Sequence, residues 1–488
     1  MLDTAGKIYI EKPYIEKNKD KCRLCARCHI DNFMEEVVWY EVDGEWEEYL
    51  CYERADAFIL NFLMYAMENR LDIISEAPMS EKLHYQLIEY FIPSVSKWIE
   101  KYEAIGIDAP VSSQSLNHAN AVGTAMSGGV DSFYTVYKHL DIRDMTYRLT
   151  HLTFFNAGAS GEYGGTSARS IYQQRIEWIR STADDFGLPL VTVDTNINEI
   201  LMEVHIYTVT NRALAMVLAL QKLFSVYYWS SAHSFMEFEF DGGDMEPYDL
   251  LNVHCFSTED VSFYNCGGEA LRIDKEEYIS QFELPRKKLN VCIESATNCS
   301  RCDKCKRTML GLYTIGKLDL YKEVFDLDYF YEHKNDVFLR ELKDKKTWLD
   351  WWEVYDPLTP EMEANSDVNM KKMYIDEFEK ILPGHKVVLR GNGLHTKELI
   401  RLFPLRKEIC CIWDISECDE KMFGGYQIVH SLEEIRELGA DTIFVSTYTW
   451  REDIKKELTK YQKEFQVIDL YERLKIKMDK PFYFYDFR

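Results

Sequence analysis

The stretch Ala125-Met126-Ser127-Gly128-Gly129-Val130-Asp131-Ser132 has the residue types and order best suited to chemistry in this chain. Adjacent glycines let a backbone turn sharply, so that successive N–H groups converge on an anion. The apolar run Ala121–Met126 ahead of them predicts a strand, and Ser132–Leu140 behind them has helical composition. A helix starting there aims its positive end at the same anion. Ser127 and Ser132 can add hydroxyl donors. Asp131 is acidic where a phosphate would sit, which is unfavourable unless a Mg²⁺ ion lies between them. The chain has no Gly-x-x-x-x-Gly-Lys-Ser/Thr, so this is not a Walker loop.

Cysteines form two further groupings. Cys292, Cys299, Cys302 and Cys305 lie on a tight, turn-rich segment. Four thiolates with no obvious fifth ligand suit a closed tetrahedral Zn²⁺ site of the structural kind. Cys22, Cys25 and Cys28, followed by His29, could hold Zn²⁺ or an iron–sulfur cluster, with Cys51 a candidate fourth ligand. The remaining cysteines show no ligand spacing and read as small buried hydrophobes. Arg390-Gly391-Asn392-Gly393 follows a strand candidate, and Asp414 ends the next one, as in the first turn of a Rossmann-like unit. A lone Gly-x-Gly is weak, so a noncatalytic accessory role is the preferred reading there. Asp194 ends a strand and is either a site residue or a helix cap. His205 and His233 read as structural histidines and receive no role.

These residues need a scaffold. Between 120 and 231 strand and helix signals alternate: Leu149–Phe155, Leu190–Val193 and Val226–Trp229 read as strands, with Ala168–Phe186 and Asn211–Ser225 as helices. Repeated β-α-β units imply a parallel sheet covered on both faces. The helix Ala168–Phe186 should stop at Gly187-Leu188-Pro189. Upstream, Val37–Val42 and Glu45–Tyr49 around Asp43-Gly44 predict a hairpin, and Arg54–Asn69 and Glu81–Tyr102 amphipathic helices. The pattern fades through 232–285, with a short helix at Asp274–Gln281 and another at Arg307–Leu312. Lys386–Leu389, Glu408–Trp413 and Thr442–Ser446 supply strands for a last α/β unit.

The residues S-G-G-V-D-S resemble the pyrophosphate-binding loop of the PP-loop ATP pyrophosphatase superfamily, which includes asparagine, GMP and NAD synthetases and tRNA-thiolating enzymes. The Cys292–Cys305 pattern and the helix Thr210-Asn211-Arg212-Ala213 are similar to those of its 7-cyano-7-deazaguanine synthase branch, over roughly residues 120 to 315. That resemblance implies a central α/β parallel-sheet PP-loop (HUP-like) domain. It implies ATP, Mg²⁺ and Zn²⁺ as cofactors. Ser127, Gly128, Gly129 and Val130 would hold the β- and γ-phosphates, with Asp131 and Ser132 in catalytic roles. Phe154, Phe155 and Asn156 would border the adenine. A small-molecule carboxylate or amide would attack the α-phosphorus, pyrophosphate would leave, and ammonia or an amine would displace AMP. A sulfur-transferring relative using Cys22–Cys28, and a nonenzymatic ATP sensor, stand as alternatives.

The whole chain sets bounds on this. Its 488 residues predict an N-terminal α+β domain (1–112), the PP-loop domain (113–315), a helical region (316–378) and a C-terminal Rossmann-like domain (379–488). A net charge of −25 disfavours nucleic acid and membrane surfaces as partners. The absence of a long apolar run or signal-like N-terminus predicts a cytoplasmic protein. Oligomeric state is left open.

Overall fold

The computed structural model describes residues 6–31, 33–160, 164–295, 297–334, 367–403, 406–415, 421–447 and 450–474. By its internal contacts the chain forms two compact units, Met1–Asp326 and Leu327–Arg488. Both are mixed α/β.

The first unit is built on one 11-stranded sheet. Its strands are β1 (Gly6–Ile10), β2 (Tyr14–Asn18), β3 (Lys21–Ile30), β4 (Met34–Asp43), β5 (Leu71–Ser75), β7 (Ile107–Asp108), β9 (Ala121–Ala125), β10 (His151–Phe155), β11 (Leu190–Thr195), β12 (Phe224–Ser230) and β13 (Ser262–Cys266); β6 (Met79–Ser80) and β8 (Val111–Ser112) pair separately. The order is β13-β12-β9-β10-β11-β4-β3-β1-β5-β7, with β2 beside β3. From β13 to β11 every pairing is parallel. Such strands are covered on both faces and must be apolar throughout, as the buried run of β9 shows. Gly123 within β9 makes room for β12: a Cβ there would lie 2.5 Å from the Phe224 ring and 2.8 Å from Tyr227.

The sheet crosses the domain boundary anticipated near residue 112. Asp194 and Thr195 of β11 pair antiparallel with Glu41 and Tyr40 of β4, and one apolar core runs from Ile8 to Phe263. The hairpin expected around Asp43-Gly44 is displaced. β3 and β4 form the hairpin instead, paired from Lys21↔Asp43 to Ile30↔Met34, and Gly44–Tyr49 is a short 3₁₀ helix. The aspartate–glycine pair therefore starts a helical turn rather than joining two strands. The helix Gly165–Phe186 ends as expected, with Gly187 at φ +67°. Segment 232–285 is more regular than its polar sequence suggests, holding a helix at Asp249–Phe256, edge strand β13 and a helix at Arg272–Ile279.

The second unit carries a six-stranded, mostly parallel sheet: β14 (Val387–Arg390), β15 (Ile409–Trp413), β16 (Met422–Phe423), β17 (Tyr426–Val429), β18 (Thr442–Val445) and β19 (Gln466–Ile468), in the order β16-β17-β15-β14-β18-β19. Tyr374, Phe378 and Ile381 of the helix Asp367–Ile381 belong to its core, so that helix opens this unit. Residues 335–366, within the expected helical region, lie outside the described residues. Among the described residues no helix is long and apolar enough to cross a membrane.

Candidate phosphate and metal sites

In the parallel half of the sheet the chain moves from β9 outward through β10 to β11, then returns to place β12 and β13 on the other side of β9. The carboxyl end of β9 is therefore a topological switch point, where open α/β sheets bind ligands. Residues 126–129 leave β9 there and lead into the helix Val130–His139, whose first residue follows Gly129. Among the described residues no side chain caps that helix, so its opening N–H groups stay available to an anion. Gly128 holds φ +84°, and a Cβ on it would meet the Trp178 indole at 2.4 Å. Its carbonyl accepts from the Asn290 N–H at 2.8 Å. Ser127 Oγ lies 3.3 Å from Ser132 Oγ and accepts from the Gly129 N–H at 3.4 Å; Ser132 Oγ donates to the Gly129 carbonyl at 3.0 Å. Val130 is fully buried.

Asp131 does not stand free. Its Oδ2 is 2.6 Å from Arg272 Nη1 and its Oδ1 is 3.1 Å from Lys275 Nζ. Burial would raise this carboxyl, but Arg272, Lys275 and Arg307 outweigh burial and hold it down at about 2. The positive charge beside the loop is thus supplied by side chains, and both Asp131 oxygens are taken. Arg272 and Lys275 thus stand against Asp131 at the place where the sequence suggested a Mg²⁺ ion.

The cations come from two helices. Arg272 also reaches Glu276 Oε1 at 3.2 Å, and Lys275 Nζ donates to the Ser231 carbonyl at 2.7 Å. Lys304 and Arg307, on the helix Asp303–Thr314, act electrostatically on Asp131 and on one another. Burial lowers both, Arg307 to about 10. Burial also lifts Glu276 to about 8, leaving it largely protonated near neutrality. Arg272 and Lys275, both buried, together with half-buried Arg307 and exposed Lys304 outnumber Asp131 and Glu246, an excess of positive charge suited to a polyphosphate. None of the four was singled out from sequence. Their signal is periodic: Arg272/Lys275 and Lys304/Arg307 are each spaced i, i+3, which puts each pair on one helical face.

Phe154 and Phe155 point to opposite faces of β10 and serve packing, with Phe154 stacked on Tyr172 and Phe155 facing Tyr227. Asn156 lies just beyond the strand. Its Nδ2 donates to Asp194 Oδ1 at 2.7 Å, and Asp194 Oδ2 accepts from Arg169 Nε at 2.8 Å. His205 is half-buried, its Nδ1 3.0 Å from the Ala157 carbonyl, and loss of solvent there lowers it to about 4.

Cys292, Cys299, Cys302 and Cys305 converge, with their sulfurs within 4.8 Å of one another and Cys292 Sγ 3.9 Å from Cys302 Sγ. Tetrahedral Zn–S bonds of about 2.3 Å require sulfurs about 3.8 Å apart, so this cluster can hold a metal such as zinc. Cys299 Sγ also accepts the Cys302 N–H at 3.2 Å. Cys305 lies in the same helix as Lys304 and Arg307, and Asn290 ties the segment to the Gly128 carbonyl.

Cys22, Cys25 and Cys28 are not brought together. All three lie on β3, where Cys22 and Cys28 face the core with Leu24 and Ala26 while Cys25 points the other way. Six residues of extended chain separate Cys22 from Cys28 by about 20 Å. The ligand-like spacing falls on a strand that splits it between two faces, and the thiols are buried in packing. Burial raises the Cys25 thiol to about 12.

In the second unit, Gly391 (φ +112°) turns the chain after β14, and the Asn392 N–H donates to Asp414 Oδ2 at 2.8 Å. The expected loop and acid meet, but each satisfies the other. Comparison with protein families, with curated proteins and with solved structures finds no match for this chain.

Proposed function

We propose that the chain binds ATP at Ser127–Ser132 and cleaves it between the α- and β-phosphates, adenylating a small carboxylate or amide that ammonia or an amine then attacks. The observation that carries this reading is the uncapped loop at the sheet's switch point, set against Arg272, Lys275, Lys304 and Arg307. The backbone N–H groups and the Ser127 and Ser132 hydroxyls cradle the terminal phosphates. Arg272 and Lys275, held by Asp131, meet the charge that grows on departing pyrophosphate, which is where electrostatic help lowers the barrier most. Asp131 is a positioning residue for those cations. Zinc at the four cysteines, when bound, supplies fold stability and fixes the helix that carries Lys304 and Arg307. The PP-loop resemblance fits this chemistry. The sulfur-transfer alternative loses its cluster, since β3 keeps Cys22, Cys25 and Cys28 apart.

Pyrophosphate itself should be a ligand. Calorimetric titration should find one site per chain, weakened at least ten-fold in Lys275→Gln; no binding, or equal binding by that variant, would count against the reading.

A further inference from the structure

Beyond the loop and the cysteines, a third group of side chains converges. His233, just past β12, meets Asp244 and Glu246 from the turn before the helix Asp249–Phe256, with one ligand atom of each within 4.8 Å of the others. We infer that His233, Asp244 and Glu246 form a binding site for one divalent first-row transition ion, Mn²⁺ or Zn²⁺, separate from the thiolate site.

The orientation of each group argues for this. His233 Nε2 faces Asp244 Oδ2 at 3.9 Å, while its Nδ1 faces Glu237 Oε1 at 3.6 Å. A carboxylate behind one ring nitrogen holds the proton there and leaves the other nitrogen's lone pair for a metal, the usual support of a ligating histidine. Glu237 is itself fixed, its Oε2 accepting the Ser234 N–H at 2.6 Å. Asp244 Oδ1 accepts the Glu246 N–H at 2.9 Å, which turns Oδ2 toward the histidine. Glu246 has no side-chain hydrogen bond or ion pair among the described residues. Two carboxylates thus enter one crevice with no basic side chain bonded to Glu246, and a cation resolves their repulsion. One imidazole and two carboxylates suit Mn²⁺ or Zn²⁺ better than Mg²⁺, which prefers oxygen alone. Three protein ligands leave coordination positions open, as catalytic rather than structural sites do. Asp131 and Lys304 act electrostatically on Glu246, so the ion would lie on the phosphate loop's side of the unit. An ion there could polarise the acceptor's oxygen, and the site stands whether or not ATP is the substrate.

The test uses the full chain with zinc already at its cysteines and no nucleotide. Mn²⁺ is titrated in, and free ion is followed by its electron paramagnetic resonance signal. One Mn²⁺ should bind per chain. Glu246→Gln, of the same shape, should weaken it at least ten-fold while zinc content stays at one equivalent, and Glu237→Gln should weaken it about ten- to a hundred-fold through the ring. Absence of saturable Mn²⁺ binding together with no second equivalent of zinc would overturn the site. Unchanged affinity in a folded Glu246→Gln variant would do the same.

Discussion

At the scale of single residues, Gly128 and Gly129 are not equivalent, although they look alike in sequence. Gly128 combines φ +84° with the Trp178 ring over its Cβ position, whereas a Cβ on Gly129 would meet only Ser127 Oγ at 3.4 Å. Gly128→Ala should therefore cost about 1–3 kcal/mol of stability and reduce nucleotide affinity at least ten-fold, with Gly129→Ala much milder. Denaturant midpoints and ATP titrations check both; equal effects would show that the indole does not seal the turn. Asp131 carries a different load. Removing its charge leaves Arg272 and Lys275 without their carboxylate, which should destabilise the unit by about 2–3 kcal/mol. That is below the cost at a fully buried pair, because Asp131 is 21% exposed. An Asp131→Asn variant as stable as the parent would remove its positioning role.

At the scale of elements, the helices Arg272–Ile279 and Asp303–Thr314 deliver the cations, and their contact is tight: a Cβ on Gly311 would fall 1.8 Å from Glu276 Oε2. Burial lifts Glu276 from the ordinary 4.5 to about 8. A carboxyl whose folded value is raised stabilises most below its unfolded value and loses that contribution as pH rises through the folded one. Between 4.5 and about 8 the parent should lose stability relative to Glu276→Gln. Parallel stability curves for the two proteins would contradict this. The cysteine cluster holds the start of the helix Asp303–Thr314, and Asn290 ties its segment to the loop, so Cys302→Ser should lower zinc content, stability and ATP affinity together. Zinc content and stability unchanged in that variant would dissociate them. The loop and the four cysteines were legible in sequence because glycine turns and ligand spacing are local features. The cationic cluster was not, since Arg272 and Asp131 lie 141 residues apart and meet only through folding. Cys22, Cys25 and Cys28 misled for the opposite reason: x₂ spacing suits a metal on a turn, but a strand sends alternate side chains to opposite faces.

At the scale of the molecule, the alternating pattern of residues 120–231 foretold the parallel strands β9 to β12 but not the edge strand β13, and Gly391 with Asp414 foretold the second unit's first turn. The joining of β4 to β11 was not legible, because nothing local in either strand marks its partner. The Ser127–Ser132 loop, the four converging cysteines, the His233 group and the cationic helices all lie in the unit Met1–Asp326, whose sheet that pairing makes continuous. A fragment ending at Asp326 should fold and bind ATP like the full chain, checked by circular dichroism and titration. A folded fragment without affinity would show that residues beyond Asp326 complete the site. The bond that breaks in ATP separates this chemistry from ordinary ATP hydrolysis. Full-length protein is incubated with ATP labelled at the α-phosphate, Mg²⁺, ammonium and a panel of small carboxylates, and the products are separated by chromatography. Adenylation should yield labelled AMP with matching pyrophosphate, lost in Lys275→Gln; labelled ADP with inorganic phosphate as the main products would rule it out.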